Sequence, residues 1–266
     1  MGPWLHVADA AAALTAATAL GPLRLKRRTG GYDGRGQARV EGQADAAEAF
    51  AALGSAPCVA EAELDLEAEL SVLVARSPAG ELAVHPAARN WHADGVLVQS
   101  VLPAPLPEAL LAQARGLAVG IADGLEVEGL LAVELFLDRR RGLLVNELAP
   151  RPHNTFHHAG AACAVGQFEQ LIRAICGLPL GDPRPHATAA LQNLLGDDAS
   201  LAHRALAVPG VSLHLYGKAP RPGRKLGHLC AVADSAGEAL ERLGQARELM
   251  RGLRRRAQPS AGFDGP

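Results

Sequence analysis

Lysine is almost missing from this 266-residue chain. Of its 26 basic side chains only Lys26, Lys218 and Lys225 are lysines. Against that background each marks a place that wants a compact, flexible point charge, or is a surface accident. Aromatic residues are scarce too, at 3%, which argues against stacking platforms for single-stranded nucleic acid. No basic excess exists, with 28 acidic residues against 26 basic ones, so a dedicated nucleic-acid binder is not expected. Cysteine is limited to Cys58, Cys163, Cys176 and Cys230. None has CxxC or Cys/His zinc spacing, and they read as buried thiols of a reducing compartment. Long apolar runs are lacking. Ala10–Leu20 is too short to span a bilayer, and Met1-Gly2-Pro3-Trp4 does not open a signal peptide. The expectation is a soluble cytoplasmic protein with neither membrane nor nucleic-acid partner.

What is present is a globular composition, 48% apolar and 20% charged, long enough for one large domain or two modest ones. The Ala-rich segment 8–20 predicts a helix closed by Gly21-Pro22, and 23–27 a strand before a Gly-rich turn at 30–36. A helix at 44–53 and strands at 58–62 and 69–75 follow, the last turning through 78–80 into 81–85 as a hairpin. Further along, 96–101 predicts a strand, Pro107 opens a helix, and strands at 130–137 and 143–148 are joined by 138–142. The Pro-, His- and Asn-rich segment 149–160 reads as a functional loop. Residues 167–176 are helical, with Phe168, Leu171, Ile172 and Ile175 on one face. Short strands near 187–195, 211–216 and 227–233 alternate with helices near 199–207 and 235–252, and the end frays. The fold class is α+β with antiparallel hairpins.

Four constellations could carry chemistry. Lys26 precedes Gly31-Tyr32-Asp33-Gly34-Arg35-Gly36-Gln37, where Gly30 and the three later glycines free the backbone to turn N–H groups onto phosphate oxygens; a hairpin turn is the plainer reading. Glu134 and Glu147 each interrupt an apolar strand, and adjacent strands would let them share magnesium; exposed edge residues or ion pairs would leave the same pattern. Arg151, His153 and Asn154 sit in a proline-stiffened loop suited to a polar substrate. Its three histidines, His153, His157 and His158, could suggest zinc, without a third spaced ligand in support. Lys218, Arg224 and Lys225 suit a phosphate monoester or form a solvated basic loop. Acidic residues at 61, 63, 65, 67 and 69 alternate with apolar ones as in a half-exposed strand, though Glu61 or Glu69 could hold a nucleotide.

Together these strings resemble the 5-(carboxyamino)imidazole ribonucleotide synthases, ATP-grasp ligases of purine synthesis. The resemblance runs over roughly residues 3–235. It is carried by Leu25-Lys26 with the 31–37 loop, Glu69-Leu70-Ser71, Asn90-Trp91-His92 and Ala132-Val133-Glu134-Leu135-Phe136. Asn146-Glu147 through Asn154, Gln167-Phe168-Glu169, Tyr216-Gly217-Lys218 and Arg224-Lys225-Leu226-Gly227-His228 complete it. It implies an ATP-grasp fold, with a small lobe over 1–60, a large lobe over 61–235 and a C-terminal helix and tail over 236–266. It implies carboxylation of 5-aminoimidazole ribonucleotide with bicarbonate, ATP and Mg2+, through carboxyphosphate. Lys26 and Gly31–Gln37 would hold the phosphates. Glu61, Ala62, Glu63 and Leu64 would face the adenine, and Glu69 and His92 would line the nucleotide site. Glu134 and Glu147 would bind the metal beside Asn146. Tyr32, Asp33, Arg35, His153, Asn154, Lys218, Arg224 and Lys225 would face the imidazole ribonucleotide, with Arg35, His153, Arg224 and Lys225 in catalytic positions. The family also implies a homodimer, and a front domain of about one hundred residues that this sequence lacks or finds in a separate chain. Two smaller departures are Thr155-Phe156 where the family usually has Ser-Gly, and His85 where it usually has Tyr. Another ATP-grasp carboxylate–amine ligase, or a non-catalytic or split nucleotide-binding fragment, are the competing readings.

Overall fold

The computed structural model describes residues 1–30, 36–196 and 198–251. It divides into two compact units. The first comprises Met1–Glu69, His92–Val96 and Glu134–Glu147, and the second Leu70–Trp91, Leu97–Val133 and the chain from Leu148 onward.

The first unit is built on a four-stranded antiparallel sheet of β1 (Trp4–Val7), β2 (Leu23–Arg27), β3 (Gln37–Val40) and β4 (Cys58–Ala62), ordered β1-β4-β2-β3. Helices α1 (Ala10–Leu20) and α2 (Gln43–Ala52) close its core around Leu23, Leu25, Val40, Phe50 and Ala60. α1 starts where Asp9 accepts from the Ala12 N–H at 2.8 Å and stops at Gly21, whose φ of 71° suits glycine. The alternation that buries Leu23 and Leu25 turns Arg24 and Lys26 to the opposite face.

The second sheet has nine strands. They are β5 (Leu66–Arg76), β6 (Leu82–Val84), β7 (Ala88–Ala93), β8 (Val96–Leu102), β9 (Gly129–Asp138), β10 (Gly142–Ala149), β11 (Thr188–Leu195), β12 (Val211–Leu215) and β13 (Lys225–Ala233). Their order is β10-β9-β5-β7-β8-β11-β13-β12, with β6 paired to β5 as the expected hairpin. Helices α3 (Glu108–Gly124), α4 (Ala159–Ala162), α5 (Gln167–Ile175) and α6 (Ala236–Arg251) complete the described chain.

Several sequence expectations need correction. Strands β1, β3 and β7 carry too little apolar alternation to announce themselves. In β7 the buried Asn90 is satisfied instead by polar partners, donating to Ser71 Oγ at 2.6 Å and accepting from Ser100 Oγ at 2.8 Å. Segment 198–207 is a 3₁₀ helix rather than an α-helix, and its buried Ala202 and Ala205 stand three apart as that period requires. On α5 the apolar stripe faces outward: Phe168, Ile172 and Ile175 are exposed while Gln167, Gln170 and Ala174 are buried. Gln170 is held there by paired hydrogen bonds with Gly181. All four cysteines are free, but Cys176 is exposed. No described helix is long and apolar enough to cross a membrane.

Candidate active site

In the first unit, neighbouring strands β9 and β10 carry Glu134 and Glu147. Their turn is fixed by the buried Asp138, which accepts from the backbone N–H groups of Asp65, Arg140 and Arg141 at 2.9, 3.0 and 2.8 Å. Burial alone would push the Asp138 carboxyl up, but these three donors hold it below the usual range. Asn146 Nδ2 donates to Glu134 Oε2 at 3.3 Å. Glu134 is pushed up to about 6, first by burial. The charges of Glu147 and Glu69 add to that rise, while His92 and Asn146 oppose it. Beside it His92 Nδ1 lies 2.5 Å from Glu69 Oε2. Burial works against a charge on His92, but Glu69 and Glu134 outweigh it and raise the imidazole above its ordinary value.

A partly buried acid that resists ionisation beside two other carboxylates would gain from a cation. No three His, Cys, Asp or Glu side chains among the described residues close a cage. The Glu134 and Glu147 carboxylates offer an open pair of hard oxygen donors. That fits magnesium, which keeps waters and binds substrate phosphates, and does not fit zinc.

Lys26, on β2, places Nζ 2.6 Å from Glu61 Oε2 on β4. Gly36, with φ of 74°, closes the β2–β3 connection by accepting from the Arg27 N–H at 2.9 Å, and Gln37 stands opposite Lys26. The other loop residues singled out, Gly31, Tyr32, Asp33, Gly34 and Arg35, lie outside the described residues. The N–H groups of Ala62 and Glu63 are already bound to the carbonyls of Pro3 and Pro22, at 3.0 and 2.8 Å. Glu63 also pairs with Arg39 at 3.0 Å. A cavity of about 20 Å³ gathers Glu61, Ala62 and Leu64 with Phe136, Val145 and Asn146, and Met1 and Gly2 complete its wall.

The second unit holds the other set. His153 is nearly buried, its backbone clamped by Gln167 at 2.7 and 3.0 Å and its Nδ1 2.9 Å from Thr155 Oγ1. Asn154 accepts from Lys225 Nζ. Lys218 and Lys225 lie over the Tyr216 ring, and Arg224 donates to the Ala219 carbonyl. Arg151 points away, to the Pro152 carbonyl and solvent. The three loop histidines do not converge: His157 meets Gln167, and the buried His158 meets Ser100 Oγ. Burial above all lowers His157 and His158 to about 3 and His228 to about 2; after it Lys225 acts most on His157, and the neighbouring His157 ring on His158 and His228. Sequence reasoning passed over Gln167, Tyr216 and His228 as site residues. Their signal was that all three fall within strings that carry the family resemblance.

A profile for the ATP-grasp domain matches residues 1–168, and one for the phosphoribosylaminoimidazole carboxylase C-terminal domain matches 189–242. An N5-carboxyaminoimidazole ribonucleotide synthase of Brucella melitensis is 41% identical over 234 residues, covering 86% of this chain and 65% of that protein. The crystal structure of an ADP complex of N5-carboxyaminoimidazole ribonucleotide synthetase superposes with a TM-score of 0.88 at 37% identity, over 96% of this chain and 68% of that one. The chain belongs to the N5-carboxyaminoimidazole ribonucleotide synthase family of ATP-grasp ligases. An Aspergillus clavatus synthase in complex with ADP and 5-aminoimidazole ribonucleotide also superposes, with a TM-score of 0.88 at 29% identity over 95% of this chain and 69% of that one. A Bacillus subtilis synthase is 41% identical over 84% of this chain and 59% of its own length. The chain thus spans 59–65% of these two curated synthases.

Proposed function

We propose that this chain uses ATP and bicarbonate to carboxylate the exocyclic amine of 5-aminoimidazole ribonucleotide, releasing ADP and phosphate in the cytoplasm. The observation that carries this reading is the acidic pair on adjacent strands, with Glu134 pushed up to about 6 by burial and by its neighbours' charge. It is supported by the family's synthases, one of which is solved with ADP and the ribonucleotide.

A bicarbonate oxygen attacks the γ-phosphorus, giving carboxyphosphate and ADP. The ribonucleotide amine then attacks the carboxyl carbon, the C–O bond to phosphate breaks, and the amine proton leaves with the phosphate. This chemistry needs positioning and charge neutralisation more than covalent help. Lys26 would exchange its contact with Glu61 for the nucleotide phosphates, beneath the 31–37 loop. Since Ala62 and Glu63 have committed their N–H groups, the purine edge would be read by the Leu64 backbone. The neighbouring cavity, at about 20 Å³, is far too small for a base, so Met1 would swing aside. Glu69 and His92 would hold the ribose side. Glu134 and Glu147 would hold magnesium, which when bound neutralises phosphoryl charge. Tyr32, Asp33 and Arg35, with His153, Asn154, Lys218, Arg224 and Lys225, would seat the ribonucleotide. The family's homodimer is carried over as part of this proposal.

The test is ADP release by this chain, alone and with a front domain of a synthase added. Release that requires both bicarbonate and the aminoimidazole substrate, and that falls about tenfold or more in Lys26→Met, is expected. Release indifferent to both co-substrates would contradict the reading.

A further inference from the structure

Tyr216 sits where two of the chain's three lysines meet. It follows β12, which runs antiparallel to β13 with His214 opposite His228 and Leu215 opposite Gly227. The strands close tightly there, since a Cβ on Gly227 would stand 2.2 Å from the His214 carbonyl oxygen. The Tyr216 backbone is tied to the Leu226 carbonyl at 2.9 Å, and its hydroxyl lies 2.6 Å from His228 Nδ1. His228 is itself wedged between the rings of His157 and His214, with centroids 4.9 and 4.5 Å away and planes nearly parallel. Burial keeps His228 neutral, and its Nδ1 shares one hydrogen bond with the phenol. The phenol is thus fixed at its backbone and at its tip. Over its ring stand Lys218 Nζ and Lys225 Nζ, 5.5 and 5.3 Å from the centroid. The ring's negative face attracts each ammonium, and a dianion bound beside the ring would draw on both charges.

We propose that Tyr216 is the positioning residue for a phosphate monoester, its ring gathering Lys218 and Lys225 and its hydroxyl, anchored on His228, fixing where that ring stands. This rests on the substrate reading above and names the residue that builds the phosphate end of that site. Tyr216 acts through the lysines and does not itself touch the reacting atoms.

With three lysines in the sequence, 13C-lysine labelling of the full chain gives a spectrum with few signals to assign. Two of the three Hε signals are expected upfield, under the ring current of Tyr216. Ribose 5-phosphate, used as the probe, shifts those two and leaves Lys26 in place. Tyr216→Phe keeps the ring and loses its anchor, so the upfield shifts persist at reduced size and the probe binds within about threefold of wild type. Tyr216→Leu loses the upfield shifts and weakens binding about tenfold. Rescue by phenylalanine separates positioning from folding. Wild-type affinity in Tyr216→Leu overturns this proposal alone. Failure of the unmodified chain to bind the probe overturns it together with the substrate reading.

Discussion

Replacing Glu134 by glutamine is expected to stabilise the metal-free protein and to abolish its magnesium-dependent hold on ATP. The Glu134 carboxyl rises from the ordinary 4.5 to about 6, so the folded chain binds this proton more tightly than the unfolded chain does. Stability from this group is therefore full below pH 4.5, declines between 4.5 and 6, and is absent above 6. A shift of that size corresponds to about 2 kcal/mol. Glutamine keeps the shape and carries no charge to bury. At pH 8 with chelator present, Glu134→Gln should melt about 4–8 °C above wild type. At pH 4.5 the two should melt together. The same variant loses one of two proposed metal ligands, and its ATP affinity should no longer respond to magnesium. Thermal melts at both pH values check the first half and calorimetry the second. Equal melting at pH 8 would mean that Glu134 carries no strain of this kind.

The second large effect is expected at Phe156. Beside the family resemblance Phe156 looked like an intruder in a loop usually built around glycine. The structure buries it completely, in the core with Leu73, Leu102 and Leu130. Its edge meets the His85 ring, with centroids 6.3 Å apart. His85 is the other departure from the family pattern. Its Nε2 donates to the Val165 carbonyl at 2.9 Å, and burial keeps it neutral. A smaller ring at 85 and a larger side chain at 156 thus fill one volume together. Phe156→Ala should cost about 3–5 kcal/mol, seen as a melting temperature lower by about 10 °C. Phe156→Gly combined with His85→Tyr should recover part of that loss. A double-mutant cycle between the two positions should show coupling of about 1 kcal/mol. Strict additivity would mean that the two departures are unrelated.

The difference between these two sites shows what the sequence could tell. Glu134 and Glu147 stood out because each puts a charge into an otherwise apolar strand. Lys26 was legible because β2 alternates cleanly and lysine is rare. The pairing of Phe156 with His85 was not legible, since 71 positions separate them and neither breaks a local pattern. The histidine column through His157, His228 and His214 depends on β12–β13 register and on the approach of the 153–158 segment, which no periodicity records. Strand β7 was missed because its interior is polar and satisfied by side-chain partners. The outward stripe of α5 misled for the reverse reason. Apolar spacing identifies a helix face, and only tertiary contact decides which face is buried.

The most direct measurement is calorimetric titration of ATP with and without magnesium, into the wild-type chain and into Glu147→Ala. Glu147 is exposed, so its removal leaves the fold intact. Wild-type affinity is expected to rise with magnesium, and Glu147→Ala to lose that rise and bind about tenfold or more weakly in its presence. Equal affinity of the two chains at every magnesium concentration would contradict the assignment of this acidic pair to the metal and, with it, the ligase chemistry built on it.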